Sequence, residues 1–145
     1  MPRKDFYHET VRRALEKDGW RITHDPFVIK YKDLTVVADL AAEKVFVNEQ
    51  GERKIAVEIK VFGGKSKTNE FEKAKGQYDL YKFALIKNKV ENELFLAIPQ
   101  KIYDTYFARH SIRELVAEEK INLLVFDVGK EEIVKWINWS VIEKL

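Results

Sequence analysis

The sequence contains no cysteine in its 145 residues, and it has only three prolines and six glycines. The absence of cysteine excludes disulfide bonds, thiolate metal sites and a cysteine nucleophile. No apolar run approaches the ~20 residues of a membrane-spanning helix. The first ten residues carry charges with no apolar segment after them, so we expect no signal peptide and a cytoplasmic protein without a membrane segment.

Repeats, low-complexity tracts and linkers rich in proline, glycine or serine are also absent from the sequence. This absence predicts a single domain over residues 1–145. Hydrophobic residues make up 46% of the chain and charged residues 34%, which is enough to form a sizeable core under a polar surface.

Charge is distributed unevenly along the chain. The net charge is only +2, but residues 60–89 hold eight lysines against three acids, a local charge of +5. A basic segment of this kind is typical either of a surface that binds a polyanion or of a solvated, lysine-rich helix face. Charge alone favours the solvated face.

Hydrophobic periodicity predicts both helices and strands. Apolar residues at helical spacing predict long helices over about 3–18 and 70–88. Shorter helices are predicted from Pro99 to about Arg109 and from a capping box at Ser111–Glu114. Strands are predicted at 20–24, 35–40, 44–48, 54–61, 94–98, 121–128 and 132–139, with a turn at 48–51. This order predicts a mixed α/β (α+β) fold, with a mixed central β-sheet flanked by helices.

The segment Gly64-Lys65-Ser66 has the residues that end a phosphate-binding loop, and it lies between a predicted strand and a predicted helix. That loop requires the spacing G-x-x-x-x-G-K-[ST]. Ile59, inside the predicted strand, occupies the position of the first glycine. The spacing therefore argues against a phosphate-binding loop.

An acid and a lysine two residues apart suggest a different chemistry. Glu58 and Lys60 project from the same face of the predicted strand, opposite to its apolar residues. A carboxylate can bind Mg²⁺, the metal can activate a water, and a lysine can orient that water or stabilise negative charge. A second carboxylate is needed, and Asp39, in an otherwise apolar segment, is the best candidate. The alternative is that Asp39 is an acid in a turn at a strand end.

Gln77 and Tyr81 lie four residues apart on the helix that follows this strand, so they share one helix face. Gln77 could reach into the site while Tyr81 packs below it. The alternative is a surface glutamine beside core tyrosines.

The ordered set Asp39, Glu58-x-Lys60 and Gln77-x-x-x-Tyr81 resembles the PD-(D/E)xK nuclease superfamily, and its last element is similar to the RecB-like branch. Ala38 stands where the namesake motif has proline. Nearly the whole chain is similar to the XisH family, the fdxN-element excision controlling factors found mainly in cyanobacteria. The segments that carry this likeness are 7–9, 15–20, 23–26, 38–43, 54–60 and 76–78.

The resemblance implies a restriction-endonuclease-like core with Asp39, Glu58 and Lys60 as the site and Gln77 in support. Asp39 and Glu58 would bind Mg²⁺, with Mn²⁺ as a substitute. The resemblance also implies a link to programmed DNA excision, in which a separate recombinase does the cutting and joining. It further implies a small partner protein of the XisI type. Two functions remain open: a Mg²⁺-dependent DNA endonuclease, and a non-catalytic regulator that binds DNA or XisI. A homodimer would suit double-strand cutting, although no sequence feature demonstrates one.

Related nucleases also place a glutamate of the first helix near the metal, which makes Glu9 and its neighbour His8 secondary candidates. At about 100° per residue, His8 flanks the apolar stripe of that helix and Glu9 lies opposite it. The alternatives are a packing histidine and a surface acid. The lysines of the basic segment are expected to hold the DNA backbone, chiefly Lys65, Lys67, Lys73 and Lys75.

Overall fold

The computed structural model describes residues 3–46 and 51–140, with side chains from Phe6 onward in the first segment. The helices are α1 Arg3–Lys17, α2 Lys67–Lys87, α3 Gln100–Asp104 and α4 His110–Glu118, with a 3-10 turn at Tyr106–Ala108. The strands are β1 Arg21–His24, β2 Phe27–Tyr31, β3 Leu34–Ala38, β4 Leu40–Val45, β5 Glu52–Ile59, β6 Glu93–Pro99, β7 Leu123–Asp127 and β8 Glu132–Ile137. Most of the turn predicted at 48–51 lies outside the described residues.

The central sheet has six strands in the order β1-β4-β5-β6-β7-β8. The pairs β5–β6 and β6–β7 are parallel, and the other pairs are antiparallel. Helix α2 makes the crossover between the parallel strands β5 and β6, which is the connection that parallel pairing requires. The predicted mixed sheet flanked by helices is therefore confirmed.

Each face of the sheet has its own apolar core. On one face, Val11 and Leu15 of α1 pack against Ile55 and Val57 of β5. On the other face, α2 and the short helices pack against a second group of buried residues, which includes Ala56 of β5. Strand β5 therefore alternates between the two cores, as its sequence predicts. None of the described helices is both long and apolar enough to cross a membrane.

The strand predicted at 35–40 is in fact two strands separated by a bend at Asp39. Strand β3 pairs with β2 in a separate two-stranded hairpin, whereas β4 enters the main sheet beside β5. Strand β2 is not among the predicted strands, because Val28, an apolar residue on its exposed face, hides the alternation.

The prediction of one helix from Pro99 to Arg109 is wrong in its extent, because this segment forms α3 and then a separate 3-10 turn. The capping box predicted at Ser111 is wrong as well. Helix α4 begins at His110, and its N-cap residue is Arg109, which makes no side-chain capping hydrogen bond. The buried side chains of Ile102, Phe107 and Val116 determine where these short helices lie.

Candidate functional site

A cleft of about 640 Å³ opens beside the end of β5, between α1, the β2–β3 hairpin and α2. It lies at the carboxyl end of a strand that has a parallel neighbour, which is where α/β sheets commonly bind ligands. The residues that line it are Tyr7, His8, Asp25, Pro26, Val37, Asp39, Glu58, Ile59, Lys60, Val61, Phe62, Glu70, Gln77 and Tyr81. The cleft thus contains every residue of the predicted central site.

Asp39 reaches the cleft because the chain bends there to pass from the hairpin into the main sheet. Its Oδ2 atom accepts a hydrogen bond from the backbone N–H of Ile59 at 2.8 Å. This bond ties the aspartate to the last residue of β5, next to Glu58. Asp39 therefore lies at a bend between two strands, as the alternative expected, and its carboxylate is held at the cleft.

Glu58 is only 7% exposed. Its Oε2 atom lies 3.4 Å from Nζ of Lys60. Its Oε1 atom is buried and has no hydrogen-bond partner within the described part of the chain. Burial raises the pKa of Glu58 from 4.5 to about 7; the negative charge of Asp39 adds to this rise, and Lys60 opposes it.

Lys60 follows the last residue of β5 and remains attached to the sheet. Its backbone N–H donates a hydrogen bond to the carbonyl of Ala97 at 2.9 Å, which extends the pairing with β6. The lysine side chain is 29% exposed. Its ammonium group can therefore contact both Glu58 and a ligand in the cleft.

Helix α2 presents Gln77 and Tyr81 to the same cleft. The Oε1 atom of Gln77 is buried and, like that of Glu58, finds no partner among the described residues. Burial raises the pKa of Tyr81 to about 12, and the negative charges of Glu58 and Asp39 add to the effect. Gln77 is therefore half-buried and lines the cleft.

The two candidates on α1 are placed differently. His8 lines the cleft, and its Nε2 atom lies 2.7 Å from Oδ1 of Asp25, whose Oδ2 accepts a hydrogen bond from Arg12. Glu9 is exposed and does not line the cleft. The structure thus brings His8, but not Glu9, to the predicted site.

The four lysines predicted to bind DNA differ in their surroundings. Lys65 and Lys73 are exposed, and Nζ of Lys67 donates to the carbonyl of Gly64 at 2.9 Å. Lys75 instead pairs with Glu119 at 2.7 Å and with Asp79 at 2.9 Å, and these acids raise its pKa. The charge of Lys75 is already matched within the protein, because this helix position faces α4.

Several residues that line the cleft were not predicted from the sequence, and Glu70 is the most informative of them. Its Oε2 atom accepts a hydrogen bond from the backbone N–H of Gly64 at 3.1 Å, which shapes the loop after β5. A Cβ atom at Gly64 would lie 3.2 Å from the Glu70 carboxylate. An acid in the first turn of a helix is ordinary, so the sequence carries no signal for this contact.

The residues present fit a magnesium ion that keeps most of its water ligands. The described residues contain no cluster of three or more acidic, histidine or cysteine side chains that could hold a metal. They do bring together two carboxylates, and the unpartnered Oε1 atom of Glu58 is an oxygen donor of the kind that Mg²⁺ prefers. A cation there would also offset the repulsion between Asp39 and Glu58.

Fold and site together define a mixed α/β domain with a buried acid–lysine site at the carboxyl end of a central strand. The family model described as XisH protein matches residues 1–134, and the chain therefore belongs to the XisH family. The family predicted from the sequence is thus confirmed.

Two solved structures are similar to this chain over nearly their whole length. One is an XisH family protein from Nostoc punctiforme PCC 73102, with 39% identity and a TM-score of 0.82, covering 92% of this chain and 99% of its own. The other is an fdxN element excision controlling factor protein from Anabaena variabilis, with 40% identity, the same TM-score and the same coverage. A search of the curated proteins finds no match.

Proposed function

We propose that this protein is a Mg²⁺-dependent DNA endonuclease-like factor that acts in the control of DNA excision. The observation that carries the proposal is the convergence of Asp39, Glu58 and Lys60 in one cleft, with a buried Glu58 oxygen left unpartnered among the described residues. The link to excision comes from the relative described as an fdxN element excision controlling factor.

Asp39 and Glu58 are the residues that would hold the metal. When bound, Mg²⁺ lowers the pKa of a coordinated water and offsets negative charge on the phosphate that is attacked. The Ile59 N–H keeps the Asp39 carboxylate in place through the hydrogen bond at 2.8 Å. Glu58 thus lies on β5 and Asp39 is tied to the same strand by this bond, which favours precise positioning.

Lys60 would stabilise the negative charge of the phosphate. Its ammonium group is 3.4 Å from Glu58 and partly exposed to the cleft, so it can donate hydrogen bonds to a phosphate oxygen or to the attacking water. Gln77, with its buried Oε1 atom, would orient a polar group beside Glu58. Lys65 and Lys73, which are exposed near the start of α2, would contact the DNA backbone.

The test is cleavage of supercoiled plasmid and linear duplex with MgCl₂, MnCl₂ or EDTA. We expect metal-dependent nicking that falls by roughly 10²-fold or more in Glu58→Gln and Lys60→Met, because each variant removes a group that acts on the phosphate or the metal. Glu9→Gln is the matched control, since Glu9 is an exposed acid outside the cleft. Activity that survives Lys60→Met, or an equal loss in Glu9→Gln, would contradict the assignment.

The second candidate is a non-catalytic regulator that retains this fold and binds DNA or an XisI-type partner. It is favoured by the small number of metal ligands, because the described residues contain no cluster of three. This reading expects DNA binding or co-purification with XisI that is unchanged in Asp39→Asn, together with no cleavage under any metal condition. The plasmid assay and a binding assay on the same variants separate the two functions.

A further inference from the structure

A separate, smaller cavity lies toward one edge of the sheet, where α4 and the 3-10 turn pack over β7 and β8. Its volume is about 280 Å³, just below the usual size of small-molecule pockets. The residues that line it are Tyr103, Phe107, Arg113, Val116, Leu123, Lys135, Ile137 and Trp139. None of them lines the acid–lysine cleft.

The apolar walls of this cavity are held in place. Phe107 and Leu123 are each 1% exposed and belong to the buried core. The indole N–H of Trp139 donates to the carbonyl of Ile121 at 2.8 Å, and its backbone N–H donates to Oδ1 of Asn122 at 3.0 Å. The aromatic side chains are therefore fixed before any ligand binds, which lowers the entropy cost of binding.

Two cations flank one aromatic ring of the cavity. The guanidinium of Arg113, on α4, is 5.4 Å from the centroid of the Tyr103 ring, and the ammonium of Lys135, on β8, is 5.3 Å from it. Neither cation has an acid within ion-pair distance in the described segments 3–46 and 51–140. The two cations add positive charge to the cavity, and an anion bound there would be attracted to both.

We propose that this Tyr103 pocket binds a small anionic molecule with a flat apolar body. The apolar body would pack against Phe107 and Trp139, and the anionic group would interact with Arg113 and Lys135. A carboxylate, sulfonate or phosphate can fill the anionic role. The pocket is independent of the function proposed for the cleft, because the two sites share no residue and lie at different ends of the sheet.

The test uses 2-naphthoate as the probe and its neutral analogue 2-naphthalenemethanol as the charge control. The chain has three tryptophans, so its ¹H–¹⁵N spectra contain three indole signals. The signal that disappears in Trp139→Phe is assigned to Trp139. We expect 2-naphthoate to shift the Trp139 signal with a Kd below millimolar and to leave the other two unchanged. The alcohol should bind at least tenfold more weakly.

The variants separate this site from general charge effects. Arg113→Glu/Lys135→Glu should raise the Kd at least tenfold. Lys30→Glu/Lys89→Glu makes the same change in net charge at two exposed positions outside the pocket, and should leave the Kd within twofold of the native value. Thermal melts check that both variants fold. A Trp139 signal that does not move, or equal affinities in the two double variants, would overturn the proposal.

Discussion

Replacement of Glu58 by glutamine should stabilise the metal-free protein at neutral and higher pH. The carboxylate of Glu58 is 7% exposed and next to Asp39, and its Oε1 atom has no partner among the described residues. Glutamine has nearly the same shape and no charge. The substitution therefore removes the cost of holding an ionised carboxylate in this position and leaves the packing as it is.

The magnitude follows from the pKa of Glu58, which rises from 4.5 to about 7 on folding. Between these pH values the folded state holds more protons than the unfolded state, so the free energy of unfolding falls as pH rises. The full loss is reached above about pH 7. At about 1.4 kcal/mol per tenfold change in the acid constant, the loss is about 3 kcal/mol. For a chain of this size that corresponds to about 10 °C in Tm.

The assay is thermal unfolding followed by circular dichroism, in EDTA, at a pH near 4.5 and at a pH above 7. We expect Glu58→Gln to melt about 10 °C above the native protein at the higher pH and at the same temperature near pH 4.5. The control is Glu9→Gln, an exposed acid whose replacement should change stability by about 0.5 kcal/mol or less at either pH.

Two results would refute this reasoning. If Glu58→Gln gave no gain in Tm above pH 7, the carboxylate would not be costly in the folded state. If the gain were the same near pH 4.5, it would come from packing and not from ionisation. Either result would also remove the electrostatic argument that Glu58 is prepared for a cation.

Three further predictions concern metal binding, the buried hydroxyl of Tyr78 and the lysines of α2. Mg²⁺ should raise the Tm of the native protein in proportion to the logarithm of its concentration, and Asp39→Asn or Glu58→Gln should abolish the rise in a differential scanning assay. Tyr78→Phe should lower the unfolding free energy by about 1–2 kcal/mol in urea, because the buried hydroxyl donates to Leu94 O at 3.3 Å and accepts from Asn122 N at 3.0 Å. In DNA titrations at several salt concentrations, Lys73→Ala should reduce the salt slope by about one, whereas Lys75→Ala should leave it unchanged because Lys75 is paired with acids.

The parts of the fold that the sequence predicted are those with clean periodicity. Strand β5 alternates between two apolar cores, so the common face of Glu58 and Lys60 could be derived from spacing alone. Helix α2 buries Tyr78 and Tyr81 as its apolar stripe predicts. The placement of His8 nearer the cleft than Glu9 also follows from helical geometry.

The parts that the sequence did not predict depend on contacts between distant segments. Strand β2 has an apolar residue on its exposed face, so its pattern does not identify the hairpin. The pairing of Lys75 with Glu119 joins α2 to the end of α4, and no local pattern marks it. The bond from Ile59 to Asp39 likewise exists only because the hairpin turns the chain back beside β5.

The chemistry of the cleft argues for a ligand whichever of the two functions is correct. Ionised Glu58, buried beside Asp39, costs about 3 kcal/mol near neutral pH, even with the ammonium group of Lys60 3.4 Å away. Neutral side chains of the same size could hold this end of β5 without the cost, as they hold the other end of the sheet around Asn122. Local features that oppose stability are expected at functional sites.

A regulator that only used the fold as a scaffold would gain nothing from the two acids. Metal-dependent stabilisation of the native protein, absent in Asp39→Asn, would therefore support a metal-binding role even if no DNA cleavage were found.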